Sequence, residues 1–109
     1  MTNNKVFKAL ADPTRRRVLE LLREGAMTAG ELSDRFPVSK PTMSAHFSVL
    51  QEAGLIEAEK NGRIVLYRLK LSVLEDALLG FASAFGIETA GKAGARPKRG
   101  RTTLRNREA

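Results

Sequence analysis

A mainly α-helical winged helix-turn-helix, assembled as a dimer, is the fold class this sequence predicts, and three observations predict it. Residues 28 to 56 hold two short helix-forming segments joined by a tight turn. Asn61-Gly62 marks a hairpin directly behind them, and the segments on either side carry apolar faces at helical spacing.

In chain order, residues 4–10 read as a first helix with Val6, Phe7 and Leu10 on one side, and Phe7 and Leu10 are expected at a dimer seam. Asp12 caps a second helix with Pro13 at its first position, where a missing N–H costs nothing. Val18, Leu19, Leu21 and Leu22 form its apolar face up to Gly25. Arg15, Arg16 and Arg17 share its first turns, either as a solvated face or as phosphate contacts.

Thr28 can cap the first helix of the motif and Glu31 can close a capping box; Phe36-Pro37-Val38 makes the turn, and Ser39 caps the second helix, residues 40–53. With 3.6 residues per turn, Met43, Phe47 and Leu50 form its buried stripe. Pro41, Ala45, Ser48 and Glu52 then point outward, with Thr42, Ser44 and Val49 on the flanks. Lys40, Thr42, Ser44, Ala45 and Ser48 lie toward the helix start and are placed to face a major groove. Hydroxyls there can donate to or accept from base edges and phosphates, and Ala45 offers an apolar surface suited to a thymine methyl. The plainer alternative is an amphipathic helix with a polar face. His46 lies beside the buried stripe, where a lone histidine packs or bonds a phosphate more readily than it holds a metal; no second histidine exists to pair with it.

The hairpin joins residues 55–60 to residues 63–69 through a type I′ turn at Asn61-Gly62, because both central positions of that turn need positive φ. Arg63 follows the turn and either reaches a minor groove or backbone or is a solvated charge, and Tyr67 is expected opposite Ile56 on the inward face. A last helix should begin at Ser72, with Leu74, Leu78, Phe81 and Phe85 spaced by four, three and four. Such a stripe is core or a partner surface, and dimerisation is the favoured reading.

Residues 1–87 are thus expected to be one DNA-binding and dimerisation domain, and residues 88–109 a basic tail that is disordered in isolation. The formal net charge is +7; the tail holds seven basic residues against Glu88 and Glu108, leaving 12 basic and 10 acidic in the remainder. That asymmetry suits a polyanionic partner. Within the tail, Arg96-Pro97-Lys98-Arg99-Gly100-Arg101 resembles an AT-hook, although Thr102 stands where a second proline is usual. Arg96, Lys98, Arg99 and Arg101 would then read a narrow A·T minor groove or act as an electrostatic anchor; the remaining alternative is a tail with no DNA role.

The absence of cysteine excludes disulfides, thiolate metal sites and thiol redox sensing. Apolar runs are only a few residues long and the polar start lacks a signal-peptide core, so no membrane association and a cytoplasmic location are expected. With a single histidine, no cysteine nucleophile and no phosphate-cradling glycine loop, no enzymatic role and no cofactor are expected. A non-enzymatic alternative is a winged-helix protein-interaction module, adaptor or antitoxin-like, with DNA binding secondary or absent.

Three segments, Phe7-Lys8-Ala9-Leu10-Ala11-Asp12-Pro13-Thr14-Arg15-Arg16-Arg17, then Ser39-Lys40-Pro41-Thr42-Met43-Ser44-Ala45-His46-Phe47, then Gly62-Arg63 with Tyr67, resemble the ArsR/SmtB winged-helix repressors over roughly residues 4–86, most nearly their SdpR-like autorepressor branch. The resemblance implies a homodimer built from the first and last helices, including Phe7, Leu10, Leu74, Leu78, Phe81 and Phe85. It also implies an imperfect palindrome over a promoter as ligand, controlling the chain's own or a neighbouring operon. By the family's pattern the DNA contacts fall on Lys40, Thr42, Ser44, Ala45 and His46, with Arg63 in the wing, beside the Ser39 and Ser48 of the residue-level reading. Metal-sensing members carry a cysteine cluster on the first motif helix or histidines and carboxylates on the last. This chain has Thr28-Ala29-Gly30-Glu31-Leu32 in the former place and only the adjacent Glu75 and Asp76 in the latter, so neither metal site can form. Release from DNA is therefore expected from an anti-repressor protein, from repressor concentration or from an unidentified ligand.

Overall fold

The computed structural model describes residues 2–88, which run as α1 (Thr2–Leu10), α2 (Pro13–Leu22), β1 (Met27–Thr28), α3 (Ala29–Ser33), α4 (Lys40–Glu52), β2 (Ile56–Asn61), β3 (Ile64–Leu69) and α5 (Leu71–Ala84). The tail residues Arg96, Lys98, Arg99 and Arg101 lie outside the described residues.

Three side-chain caps set the helix starts. The Asp12 carboxylate accepts the N–H of Thr14 at 2.7 Å and of Arg15 at 3.2 Å, with Pro13 opening α2. Thr28 and Glu31 form a complete capping box at α3, each side chain accepting the other's backbone N–H, at 3.0 and 2.8 Å. The Ser39 hydroxyl accepts the Thr42 N–H at 3.3 Å and starts α4. At the other end of α4, Gly54 adopts a left-handed φ of 78°. That conformation lets Leu55 N–H reach the Leu50 carbonyl at 3.0 Å and Gly54 N–H the Gln51 carbonyl at 2.9 Å, a Schellman closure that turns the chain straight into the wing.

The described residues fall into two units, with the boundary between Ala77 and Leu78. In the first, Val6, Val18, Leu32, Met43, Leu50 and Leu55 are fully buried, and each contributes about 1.5–3 kcal/mol through removal of its side chain from water. The predicted stripe of Met43, Phe47 and Leu50 is the buried face of α4, which packs against α1, α2 and β2. Phe47 stacks on Tyr67 with ring centroids 4.8 Å apart, so the wing and α4 share one packed contact. In the second unit, Phe81 and Phe85 stack at 4.9 Å, and Leu78, Phe81, Phe85 and Ile87 keep roughly half or more of their surface exposed.

The sheet departs from the sequence-based expectation in three respects. It has a third strand: β1 pairs antiparallel with β3, Met27 opposite Tyr67 and Thr28 opposite Leu66, giving the order β1-β3-β2. A two-residue strand carries too little alternation to be read in sequence. The hairpin turn is also one residue later than expected. Asn61 pairs with Ile64, so Gly62 and Arg63 are the loop, and Gly62 at its first position takes φ 66° as both primed turns require. That one-residue shift sets Tyr67 opposite Ala58 rather than Ile56, which pairs instead with Leu69.

The first two arginines of the α2 run are engaged with the end of α1, and Arg16 and Arg17 are exposed. Arg15 Nε donates to the Ala9 carbonyl at 2.8 Å and Nη2 to Lys8 at 3.0 Å, while Arg16 Nη1 donates to Leu10 at 2.7 Å. Two guanidinium groups thereby satisfy the last carbonyls of α1, where the helix dipole favours positive charge. Arg17 pairs with Glu20 at 2.9 Å on an exposed face, an ion pair of little energetic weight.

Asp12 gives a pH-dependent contribution to stability. Burial works against its charge, but the N–H donors of Arg15 and Thr14, with the neighbouring His46 and Arg15 side chains, outweigh it and hold its carboxyl below the ordinary range. A depressed carboxyl pKa stabilises the fold above the unfolded-state value and loses that contribution as pH falls through the folded-state value. Asp12→Ala should therefore cost about 1 kcal/mol at pH 7. Paired denaturant melts should show the difference from the parent closing once acid protonates the Asp12 carboxylate.

Candidate nucleic-acid interface

Helix α4 presents two unlike faces because apolar and short polar residues alternate at helical spacing along it. With Met43, Phe47 and Leu50 buried, Ser39, Lys40, Thr42, Ser44, Ala45 and Ser48 are all exposed. His46 sits half-buried on the flank it shares with Thr42. The exposure expected of these six residues and the partial burial of His46 beside the stripe are both present. The wing residue Arg63 lies in the β2–β3 loop and is exposed.

Local hydrogen bonds organise the helix start. Ser39 Oγ donates to Thr42 Oγ1 at 2.9 Å, so the two hydroxyls act as a unit, with Lys40 at the first helical position between them. Helix N-terminal dipoles and a lysine together favour an anionic group such as a phosphate. The shape and polarity beyond that point differ. Ser44, Ala45 and Ser48 make a low, uncharged surface that can approach another backbone closely, with small hydroxyls available to base edges and a methyl for apolar contact. Glu52, at the opposite end, is exposed and stays clear of that surface.

The wing separates its charges by face. Arg68 binds Glu59 at 2.9 Å and Lys70 lies 3.7 Å from Glu57, so those cations are already paired. Lys60, near the end of β2, and Arg63, in the turn itself, have no ion pair among the described residues. Lys60 was not singled out from sequence; only its position two residues before Gly62 marked it, and without the strand register its side of the hairpin was undefined. Tyr67, 7% exposed, is the wing's inward anchor, and its burial pushes the phenol pKa up.

Among the described residues no group of three or more histidine, cysteine, aspartate or glutamate side chains could hold a metal ion. Glu75 and Asp76 are exposed neighbours on α5, pointing apart by about 100° as adjacent helical residues do. No described helix is long and apolar enough to cross a membrane.

Comparison with known proteins places these features in a group. A family profile described as a helix-turn-helix domain matches residues 10–59. The transcriptional repressor SdpR of Bacillus subtilis (strain 168) is 44% identical over 75 residues, 69% of this chain and 83% of that protein. The arsenic resistance transcriptional regulator ArsR1 of Pseudomonas putida is 42% identical over 77 residues, covering 68% of this chain but 60% of that protein. Among solved structures, a crystal structure of an ArsR family transcriptional regulator superposes with a TM-score of 0.68 at 32% identity, over 81% of this chain and 94% of that one.

Proposed function

Because this chain belongs to the ArsR/SmtB family of winged helix-turn-helix transcriptional repressors, we propose that it acts as a homodimer on an inverted repeat over a promoter, its own or a neighbouring operon's. Each protomer inserts α4 into a major groove. The observation that carries this is the exposed surface of Lys40, Thr42, Ser44, Ala45 and Ser48, held in place by the Ser39 cap and by the buried stripe behind it.

In this reading Ser39, Lys40 and Thr42 take the phosphates at the groove edge, while Ser44, Ala45 and Ser48 face bases and His46 contacts the nucleic acid from the flank. The wing carries Arg63, joined by Lys60, along the neighbouring backbone or minor groove. Leu74, Leu78 and Phe81 on α5 with Phe85 just after it, and Phe7 and Leu10 on α1, meet a second copy of the chain. The absence of cysteine closes the thiolate chemistry through which arsenic or mercury would be bound, so release rests on an anti-repressor protein, on repressor concentration or on a ligand of other chemistry. A cytoplasmic location accords with this role.

The test is a titration of the full chain against the DNA upstream of its own reading frame and against unrelated DNA of equal length. Saturable protection of an inverted repeat is expected; equal, weak binding to both, with co-purification of a protein partner, would favour an adaptor role instead.

The tail adds a salt-dependent term. Residues 88–109 carry seven basic side chains, and if about three phosphates are neutralised per tail, its deletion should lower the salt slope of binding by roughly 2.7 per protomer. Affinity for operator and unrelated DNA should both fall, with half-site preference kept. A larger loss on A·T-rich than on G·C-rich flanks would identify minor-groove reading by Arg96, Lys98, Arg99 and Arg101; equal losses would leave an electrostatic anchor.

A further inference from the structure

We propose that Arg15 is a positioning residue for DNA recognition, holding His46 in the tautomer that presents Nε2–H to a hydrogen-bond acceptor on the nucleic acid. The proposal rests on the assignment of α4 as the reading helix. It begins from one contact: Arg15 Nη1 lies 3.2 Å from His46 Nδ1. A guanidinium has five donors and no acceptor, so this bond exists only if Nδ1 carries the lone pair. The proton of the neutral ring must then sit on Nε2.

Arg15 is well built for this task. The same fork donates through Nε to the Ala9 carbonyl at 2.8 Å and through Nη2 to the Lys8 carbonyl at 3.0 Å, so bonds from all three of its nitrogens fix its plane. Those bonds tie α2 to the end of α1 and, through the ring, to α4. A lysine has a point charge and no planar fork, so it cannot reproduce the set. The charged groups around the ring are Arg15 itself and Asp12, whose carboxylate is engaged by the α2 N-terminus. His46 Nε2 has no hydrogen-bond partner among the described residues. A half-buried ring with one nitrogen satisfied and the other left as a donor, on the helix flank beside Thr42, is poised for an acceptor that arrives with a ligand. On DNA that acceptor is a phosphate oxygen or a purine N7 or O6.

The chain has a single histidine, so nitrogen-15 spectra of the full-length protein report His46 without assignment. At a pH where the ring is neutral, the parent should show the proton on Nε2 alone, and Arg15→Lys should show a mixture of the two tautomers. For binding, His46→Gln keeps an N–H near the Nε2 position and should retain operator affinity within about threefold, whereas His46→Asn, whose amide falls at the Nδ1 position, should lose about tenfold per half-site. Arg15→Lys should lose a comparable amount at a temperature where its melt shows it folded; should it fail to fold, the two His46 variants and the parent spectrum still decide. Loss on operator and unrelated DNA alike assigns a phosphate acceptor, and loss on operator alone assigns a base; both uphold the proposal. A proton on Nδ1 in the parent, or equal operator affinity for His46→Asn and the parent, overturns it. Ala45→Glu separates the two claims: if it abolishes binding while His46→Asn does not, only the role of the Arg15–His46 pair falls, and if neither matters, the reading of α4 falls with it.

Discussion

Ala45→Glu is expected to remove specific DNA binding while leaving the fold intact. Ala45 is exposed on α4's outward face, near Ser44 and Ser48, and is not one of the buried stripe. The cost to the helix itself is small, because alanine and glutamate differ by only about 0.4 kcal/mol in helix propensity. In the groove the effect is of another order. A methyl suited to close apolar contact is replaced by a carboxylate carried into the field of the phosphates, and each half-site loses about 1.5–2 kcal/mol or more. Over two half-sites that is roughly a 100-fold or greater loss in affinity. Titration of the operator alongside a thermal melt checks it, and an unchanged operator affinity in a folded variant would mean that this face is not the reading surface.

A comparable loss is expected from an entirely different place. Leu78 and Phe85 are 46% and 68% exposed on and just after the last helix, which is a large apolar area for a folded protomer to leave in water. The double substitution Leu78→Asp and Phe85→Asp should leave the protomer's main core unaffected, since both side chains are exposed and neither belongs to the buried cluster. Placing two carboxylates per protomer on the surface proposed to meet a second copy prevents that contact from closing. Monomers then bind half-sites singly and lose the effective concentration that a linked neighbour supplies, worth about 10²–10⁴ in affinity. Sedimentation equilibrium reads the first consequence and operator titration the second. A variant that sediments as a dimer would place the seam elsewhere.

Much of this architecture is legible in the sequence because it is written in local chemistry. Asp12, Thr28 with Glu31, and Ser39 each mark a helix start by a side chain that accepts an orphan N–H, and all three bonds are present. The stripe of Met43, Phe47 and Leu50 follows from period alone, and the exposed face opposite it comes with it. What the sequence left open depends on partners distant along the chain. Strand β1 exists only because Met27 and Thr28 lie against residues 66 and 67, some 40 positions away. The hairpin register turned on which residue after Lys60 begins the loop, and Asn61-Gly62 as a dipeptide outweighed the observed Gly62-Arg63 because asparagine also tolerates left-handed backbone. The role of Arg15 could not be read at all, because its three partners belong to α1 and to His46, 31 residues further on.

The central claim is that the N-terminal half of α4 occupies the major groove of two half-sites. Methylation protection tests it most directly, since dimethyl sulfate modifies guanine N7 in the major groove and adenine N3 in the minor groove of the same DNA. With the full chain bound to its operator, guanine N7 should be protected in two patches whose centres lie about one helical turn, or a small multiple of it, apart. Both patches should vanish with Ala45→Glu. Protection confined to adenine N3, or guanine protection that persists unchanged in the Ala45→Glu variant, would contradict the assignment of α4 as the reading helix.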